Sequence, residues 1–241
     1  MKIRKIGWGN PENSEYDILL DHFSGTKIQS IKTSSVPLAQ YWQNTEKRLE
    51  QISKILNENL QDVEIYFEYP TPSLGRAKAS MTDVMIIAKN IKIAIEAKYT
   101  EYQKTKYQEI RKWLKEDKKK HREDVLKHWW EMIRPFVSSS LDIEEIFSLP
   151  YQFFHRTASA CYNNKGNAYV LYQLFWDKDT KERLEKFKEL INRSVEILQP
   201  KEKLKIIAQE IEVIKRPDPK KIHKSDVFQR MKSKEIYEFE G

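Results

Sequence analysis

Asp83, Glu96 and Lys98 are the residues whose types and spacing are best suited to chemistry. The chain around them, residues 82–99, predicts a hairpin of two strands joined by a two-residue turn at Lys89-Asn90. In that register Asp83 lies directly opposite Glu96. Opposed side chains on antiparallel strands have Cβ atoms about 5 Å apart, so the two carboxylates are close enough to share one ligand. Lys98 points to the same face, because side chains on a strand repeat with a period of two.

Two opposed carboxylates repel each other, and burial raises their pKa values further. A divalent cation removes this repulsion, and Mg²⁺ prefers oxygen ligands, commonly one or two carboxylates with waters and a substrate phosphate. Lys98 then adds positive charge beside the attacking water or the phosphate. The other interpretation is that Lys98 neutralises both carboxylates in a structural ion pair. Spacing alone leaves both interpretations open.

The elements that must position these residues begin with a helix. Residues 43–60 place apolar side chains on one face at helical spacing. Residues 63–69 alternate apolar and polar side chains and predict a strand. A loop over 71–81 leads into a short apolar strand at 82–88, and residues 91–99 alternate again.

After the hairpin the chain is mostly helical. An amphipathic stripe predicts a helix near 125–136, and apolar spacing predicts another over about 150–163. Strands follow at 168–175 and 204–215, separated by a charged helix that starts near Asp179. This order of elements indicates an α/β sandwich around a mixed sheet.

Asp83, a gap of twelve residues and then Glu96-Ala97-Lys98 resemble the motif of the PD-(D/E)XK phosphodiesterase superfamily. The resemblance covers about residues 43–175, where a helix, a three-strand meander, a helix and a strand follow the order of that family's common core. Thr82 stands in place of the name-giving proline, a position that varies in the superfamily. The resemblance implies a restriction-endonuclease-like α/β/α sandwich around a central mixed β-sheet, with helical insertions after the Glu-x-Lys strand.

The same resemblance implies a reaction, the hydrolysis of a nucleic-acid phosphodiester. In the family, the Asp and the Glu bind Mg²⁺ together with the carbonyl that follows the Glu, here that of Ala97. The Lys assists the nucleophilic water. Asp83, Glu96 and Lys98 are therefore expected to be catalytic and Asp83, Glu96 and Ala97 to be metal ligands, with Mn²⁺ able to replace Mg²⁺.

Two further carboxylates are candidates for the catalytic site. Glu46 lies at the edge of the apolar stripe of the first helix, where many members of the superfamily carry a helix-borne Glu. Glu68 ends the strand that leads into Asp83, so an antiparallel neighbour would place it near the metal. For both residues the other interpretation is an ordinary surface acid.

Gln152 and Arg156 are candidates for contact with nucleic acid. They lie four residues apart on one predicted helix and resemble the Gln- and Arg-bearing helix that follows Glu-x-Lys in several branches of the superfamily. A solvated polar helix face is the other interpretation of the pair.

The charge of the chain is unevenly distributed. The net charge is +7 and the pI is about 9.1, which favours a polyanionic partner. Residues 215–234 hold eight basic and two acidic residues. We expect this segment, with Arg76 and Lys78 beside the predicted site, to hold the phosphate backbone of nucleic acid, with DNA favoured over RNA. Plain solubility is the other interpretation of the basic segment.

These patterns predict three parts of the chain. Residues 1–42 form an N-terminal extension, and residues 43–215 form the nuclease-like domain, which includes a helical insertion at about 101–149. Residues 216–241 form a basic C-terminal tail that Pro217 and Pro219 predict to be irregular.

Several classes of protein are disfavoured. The single cysteine, Cys161, allows no internal disulfide and no cysteine-based zinc site, which is typical of a reducing compartment. The first ten residues lack the apolar run of a secretory signal, and no segment approaches 18 apolar residues. We therefore expect a cytoplasmic protein that does not contact membranes.

The function predicted from the sequence is a Mg²⁺-dependent nuclease, with a homodimer as the easiest arrangement for cutting both strands of a duplex. The alternative is a non-catalytic nucleic-acid-binding or assembly protein that retains the nuclease-like fold. A third interpretation is a structural domain in which the three charged residues form an ion pair.

Overall fold

The computed structural model describes residues 2–8, 33–72, 80–103, 108–116, 121–215, 218, 222–223, 226–234 and 236–240. Within this described part, the chain forms one seven-stranded mixed sheet with helices packed on both faces. The predicted fold class, an α/β sandwich around a mixed sheet, is therefore confirmed.

The strands stand in the sheet in the same order as in the chain. They are β1 (Ile3–Trp8), β2 (Val63–Thr71), β3 (Ser80–Ala88), β4 (Ile91–Lys98), β5 (Asn167–Trp176), β6 (Leu204–Lys215) and β7 (Glu238–Phe239). β2, β3 and β4 form an antiparallel meander, and β1 runs parallel to β2. β5 and β6 run parallel to β4, and β7 pairs antiparallel with the end of β6.

Seven α-helices accompany the sheet in the described residues. They are α1 (Ser35–Tyr41), α2 (Thr45–Leu56), α3 (Ile110–Lys115), α4 (Arg122–Ile133), α5 (Tyr151–Cys161), α6 (Lys181–Leu198) and α7 (Val227–Lys232). Short 3₁₀ helices lie at Thr100–Gln103, Arg134–Phe136 and Glu145–Ser148. None of the described helices is long and apolar enough to cross a membrane.

The helix and strands predicted over residues 43–215 are all present, with ends shifted by a few residues. Local signals explain the ends of α2. The side chain of Asn44 accepts a hydrogen bond from the backbone N–H of Lys47, which caps the start of the helix. Asn57 ends the helix in the left-handed conformation, with φ of 53°, which Asn adopts more readily than most residues.

Alternation along β4 decides which helices cover each side chain. Ile93 and Ile95 pack with α1, α2 and α7 on one face, which we call the α2 face. Ala94 packs with α3 to α6 on the other, which we call the α5 face. Glu96 and Lys98 share the face of Ala94, because side chains on a strand alternate.

The predicted hairpin register is confirmed. Ala88 pairs with Ile91, and the regular pairing of β3 with β4 continues to Val84 and Ile95. The pairing ends one step before Asp83 and Glu96, where the side chains of the predicted site begin.

The first and last parts of the predicted division both contribute to the central sheet and its core. β1 lies in the predicted N-terminal extension but is a strand of the central sheet. The predicted tail contains α7 and β7, and Met231 and Tyr237 are fully buried in the core of the α2 face. The described parts of both ends therefore belong to the domain, because they supply apolar surface and strand pairing to it.

Candidate active site

Four charged side chains meet on the α5 face at the end of the β3–β4 hairpin. Lys98 Nζ donates a hydrogen bond to Glu96 Oε1 at 2.7 Å. Arg156 Nε, which comes from α5, donates to the other oxygen of Glu96, Oε2. Asp83 Oδ2 accepts a hydrogen bond from the backbone N–H of Ala97 at 2.8 Å. We call Asp83, Glu96, Lys98 and Arg156 the charged cluster.

The local fold explains why Asp83 sits at this position. The pairing of β3 with β4 stops at Val84 and Ile95, whereas β4 stays paired with β5 as far as Lys98, so only N–H groups of β4 that point toward β3 need another acceptor there. The carboxylate of Asp83 accepts the N–H of Ala97 in place of a strand partner. This bond fixes Asp83 beside Glu96.

Glu96 remains ionised although it is buried. Burial alone would raise its pKa, but the charges of Arg156 and Lys98 and their hydrogen bonds outweigh that effect. The pKa of Glu96 is therefore lowered to about 2. The two cations hold both of its oxygens.

Asp83 differs from Glu96 in its protonation. Burial, and then the charge of Glu96, raises the pKa of Asp83 to about 7. Arg156, Lys98 and the N–H of Ala97 act in the opposite direction and do not compensate. Asp83 is thus the acid of the cluster that changes charge near neutral pH.

The two cations of the cluster stay charged. Burial acts to lower the pKa of Lys98, but Glu96 and Asp83 outweigh it and the pKa of Lys98 is raised. The same balance raises the pKa of Arg156. A charged Lys98 has no free electron pair to accept a proton, so its chemistry is that of a hydrogen-bond donor and a fixed positive charge.

His155 of α5 contacts the cluster through Arg156. Its Nδ1 lies 2.7 Å from Nη1 of Arg156, and its ring lies 4.7 Å from that of Trp129. Burial and the neighbouring Arg156 hold the pKa of His155 well below its usual range. A neutral His155 that accepts from Arg156 at Nδ1 carries its proton on Nε2, which lies 3.5 Å from Ser159 Oγ. Sequence spacing contained no signal for this pair, because helix neighbours i and i+1 do not normally face each other.

A narrow cavity of about 20 Å³ opens beside Glu96 and Lys98, enough room for about one water molecule. Gln152 lines it, and its Oε1 is buried without a hydrogen-bond partner among the described residues. Most other lining residues are apolar or aromatic, among them Phe153, Tyr172 and Phe187. Gln152 therefore lies at the charged cluster and not on a solvated helix face.

Arg156 does not lie on a solvated helix face either, because only 7% of it is exposed. Its guanidinium is held between Glu96 and His155. The structure thus brings Gln152 and Arg156 together with the predicted catalytic residues.

Glu68 lies on β2 across from Asp83. It falls between the pairs Phe67–Val84 and Tyr69–Thr82, so the register places it directly opposite Asp83. Its φ is 50°, in the left-handed region that non-glycine residues seldom adopt. The pairing of β2 with β3 thus passes over the partly exposed Glu68 and Asp83, which stand across from each other between two paired positions.

Glu46 is not brought to the charged cluster. It is exposed in the first turn of α2, and α2 packs on the opposite face of the sheet. Helical spacing placed Glu46 correctly beside the apolar stripe, but it could not decide which face of the sheet that helix covers. Arg76 and Lys78 lie outside the described residues.

The oxygen donors of Asp83, Glu96 and the Ala97 carbonyl are of the type that Mg²⁺ prefers, and waters and a substrate phosphate usually complete such a site. Among the described residues, no group of three or more His, Cys, Asp or Glu could hold a metal ion. Both oxygens of Glu96 already accept hydrogen bonds, so a metal would share them or displace a cation. Asp83, Glu96 and the Ala97 carbonyl therefore fit a metal site that waters and a substrate phosphate complete. They do not fit a site in which the protein supplies every ligand.

Comparison with known proteins places the chain in a family. A family described as a domain of unknown function, DUF6946, matches residues 13–215. The chain belongs to the DUF6946 family. In this DUF6946 chain the matched region contains the whole charged cluster, whereas β1 and the segment from 216 onward lie outside it. The chain matches no curated protein and no solved structure.

Proposed function

We propose that this protein is a Mg²⁺-dependent nuclease that hydrolyses phosphodiester bonds of DNA. The observation that carries the proposal is the charged cluster, in which the buried Glu96 and Lys98 meet the partly buried Asp83 of the adjacent strand. Buried charges that compensate one another at the end of a sheet are costly to maintain, and they are concentrated where proteins do chemistry.

The order of elements around the cluster supports the proposal. α2 precedes the antiparallel meander β2–β3–β4, α5 follows it, and β5 then runs parallel to β4. This arrangement resembles the common core of the PD-(D/E)XK superfamily, with Asp83 on the second strand of the meander and Glu96 and Lys98 on the third. We therefore propose a restriction-endonuclease-like fold for residues 45–176.

The roles of the residues follow from their charges. Asp83 and Glu96, with the carbonyl of Ala97, would hold the metal. A bound Mg²⁺ lowers the pKa of a coordinated water and neutralises charge on the phosphate. Lys98 would donate a hydrogen bond to a metal-bound water or to the negative charge that develops on the phosphate. Arg156 keeps Glu96 ionised and oriented.

Charge balance predicts that metal and DNA bind together. Glu96 and an ionised Asp83 carry two negative charges, which Lys98 and Arg156 already balance. A divalent cation alone adds two uncompensated positive charges to a buried site, which is unfavourable. A phosphodiester restores part of the balance, so we expect DNA to strengthen metal binding.

The test is cleavage of supercoiled plasmid in Mg²⁺ or Mn²⁺, with EDTA as the metal control. Wild-type protein is expected to nick or linearise the plasmid, and Asp83→Asn to lose this activity with an unchanged circular dichroism spectrum. Glu50→Gln, which neutralises an exposed acid on the opposite face, is the matched control and is expected to cut like the wild type. Cleavage by Asp83→Asn at the wild-type rate would contradict the proposed site.

One observation favours the alternative of a non-catalytic DNA-binding or assembly protein. Both oxygens of Glu96 are occupied by Lys98 and Arg156, so the cluster is already neutralised without a metal. This alternative predicts DNA binding that is unchanged by EDTA and no nicking at any metal concentration. The plasmid assay, paired with a gel-shift assay in EDTA, separates the two functions.

A further inference from the structure

His155 is a buried histidine in the middle of α5, and it adjoins the charged cluster without belonging to it. Arg156 lies between His155 and Glu96 and is buried as well. A buried guanidinium depends on the protein for its hydrogen-bond acceptors, because little solvent reaches it. His155 supplies one of these acceptors, and Glu96 supplies another.

The chemistry of arginine fixes the state of this imidazole. A guanidinium has donors only, so across the 2.7 Å contact Nη1 of Arg156 donates and Nδ1 of His155 accepts. The proton of the neutral ring is then on Nε2, which lies 3.5 Å from Ser159 Oγ. That distance is long for a hydrogen bond, so the contact with Arg156 is the stronger of the two. The bond to Arg156 therefore selects the tautomer of His155.

Ser159 and Thr71 support the imidazole from the other side. Ser159 Oγ donates to the carbonyl of His155 at 3.1 Å, which leaves its oxygen as the acceptor for Thr71 Oγ1 and for Nε2 of His155. Both hydroxyl groups belong to buried residues. Thr71 ends β2, whereas Glu96 lies on β4, so this chain of contacts joins the two strands that flank β3.

Two contacts set the orientation of the Arg156 guanidinium. Its Nε donates to Glu96 Oε2, and its Nη1 donates to His155 Nδ1. Because the guanidinium is planar, bonds from two of its nitrogens fix the plane, whereas a single bond leaves the plane free to turn. A neutral imidazole achieves this without adding a charge, so the two carboxylates and two cations of the cluster stay in balance.

We propose that His155 is a positioning residue of the charged cluster, which holds Arg156 on Oε2 of Glu96 and thereby fixes the Glu96 carboxylate for metal binding. It acts through Arg156 and not through contact with metal or DNA. Removing a group that orients a metal ligand through hydrogen bonds typically lowers metal affinity or activity by about 10- to 100-fold. The role in metal binding rests on the proposed function, whereas the hold on Arg156 does not.

Two substitutions separate the contacts of the imidazole. His155→Asn places an amide oxygen where Nδ1 stands, so it keeps an acceptor for Arg156 but is too short to reach Ser159. His155→Gln places its amide where Nε2 stands, toward Ser159, and has no acceptor at the position of Nδ1. Both variants lose the ring that lies 4.7 Å from that of Trp129, so a loss of packing affects them alike.

The first measurement does not depend on activity. Hydrogen exchange of the Arg156 Nε–H is followed by NMR on the full chain in EDTA, and the signal is assigned by its absence from Arg156→Lys. We expect a slowly exchanging signal in the wild type and in His155→Asn, and its loss in His155→Gln.

The tautomer of His155 is read from the nitrogen chemical shifts of its ring in the wild type. We expect the proton on Nε2. A proton on Nδ1 would overturn the proposal without any variant. This result therefore decides the matter even when His155→Gln fails to fold.

The second measurement is single-turnover cleavage of plasmid in Mn²⁺. His155→Gln is expected to lower the cleavage rate, or to raise the Mn²⁺ concentration for half-maximal cleavage, by about 10- to 100-fold. Its affinity for DNA in EDTA is expected to stay at the wild-type value. His155→Asn is expected to cut at least about tenfold faster than His155→Gln. Equal losses in the two variants would overturn the proposal, because they would show that the imidazole only fills space.

The outcomes separate this inference from the proposed function. A protected Arg156 Nε–H that is kept in His155→Asn and lost in His155→Gln, with no cleavage by the wild type, supports the positioning role and contradicts the nuclease. Cleavage by the wild type, with equal protection of Arg156 in all three proteins, supports the nuclease and overturns the positioning role.

Discussion

Two lysines of β4 occupy similar positions and have opposite properties. Lys92 and Lys98 lie on the same face of the same strand and are only 6% and 8% exposed. Burial lowers the pKa of Lys92 to about 8. The same effect acts on Lys98, but Glu96 and Asp83 outweigh it and raise the pKa.

The neighbours of the two ammonium groups explain the difference. Lys92 Nζ donates to the carbonyl of Tyr162 at 2.8 Å and lies 5.3 and 5.1 Å from the ring centroids of Tyr69 and Tyr162. Neutral partners of this kind compensate only part of the cost of burying a charge. Lys98 has carboxylates instead. Both ends of β4 are buried, and the carboxylate partners distinguish the Lys98 end, which is the proposed active site.

Removing a partner from the charged end has the largest expected effect on stability. Arg156→Leu leaves Glu96 buried with only one of its two cations, and a broken buried ion pair typically costs about 3–5 kcal/mol in the free energy of unfolding. The measurement is urea unfolding at pH 7. Lys186→Leu breaks the exposed pair with Glu182 and is the control, which is expected to leave the free energy of unfolding nearly unchanged. Equal losses of unfolding free energy in the two variants would contradict the importance of the charged cluster for stability.

Exchanging each lysine for methionine tests the comparison through activity. Lys98→Met is expected to slow plasmid cleavage by about 100- to 1000-fold, the loss typical of removing one group that stabilises developing charge. Lys92→Met, on the same strand and equally buried, is expected to cut at the wild-type rate. The comparison fails if Lys98→Met keeps its activity, or if both variants lose it equally with intact folding.

The raised pKa of Asp83 predicts a pH dependence of metal use. Because its pKa is about 7 without metal, the metal must displace a proton from Asp83 at lower pH. The Mn²⁺ concentration for half-maximal cleavage is expected to rise about tenfold per pH unit below 7 and to be constant above it. Glu96, whose pKa is about 2, contributes no change in this range. A constant Mn²⁺ requirement between pH 5.5 and 8 would contradict the role of Asp83.

Replacing Lys92 has the smallest expected effect, which is a change in the free energy of unfolding. Its pKa of about 8 in the folded protein lies below its ordinary value of 10.5, so the unfolded chain binds more protons between these two values. Stability due to Lys92 is therefore reduced below pH 8 and recovers as the pH rises to 10.5. Lys92→Met is expected to be about 1–2 kcal/mol more stable than the wild type at pH 7, since the lost bond to Tyr162 offsets part of the gain.

The advantage of Lys92→Met over the wild type is expected to shrink as the pH rises from about 8 and to be lost by about pH 10.5, because the charge penalty disappears while the missing bond to Tyr162 remains. Thermal unfolding of both proteins at pH 7 and pH 10.5 measures it, and the tyrosines contribute equally to both. A variant that is less stable than the wild type at pH 7 would show that the tyrosine rings compensate the buried charge fully.

Parts of the fold could be predicted because their signals are local. Alternation and the turn at Lys89-Asn90 were enough for the register of β3 and β4, and hence for the neighbourhood of Asp83 and Glu96. β1 was missed, because its six residues become a strand only by pairing with β2, far away in the chain. The packing of α7 and Tyr237 against the α2 face was missed for the same reason, since Gln40 and Tyr237 are 197 residues apart.

The sequence by itself determined the α/β class, the hairpin and the approach of Asp83, Glu96 and Lys98, because strand periodicity and turn geometry act over a few residues. Only the tertiary structure decided which helices cover that face. It brought Arg156 with His155 and Gln152 to the cluster and left Glu46 on the opposite face. Helical periodicity says which side of a helix is buried, but the face of the sheet that it covers depends on how the whole chain packs.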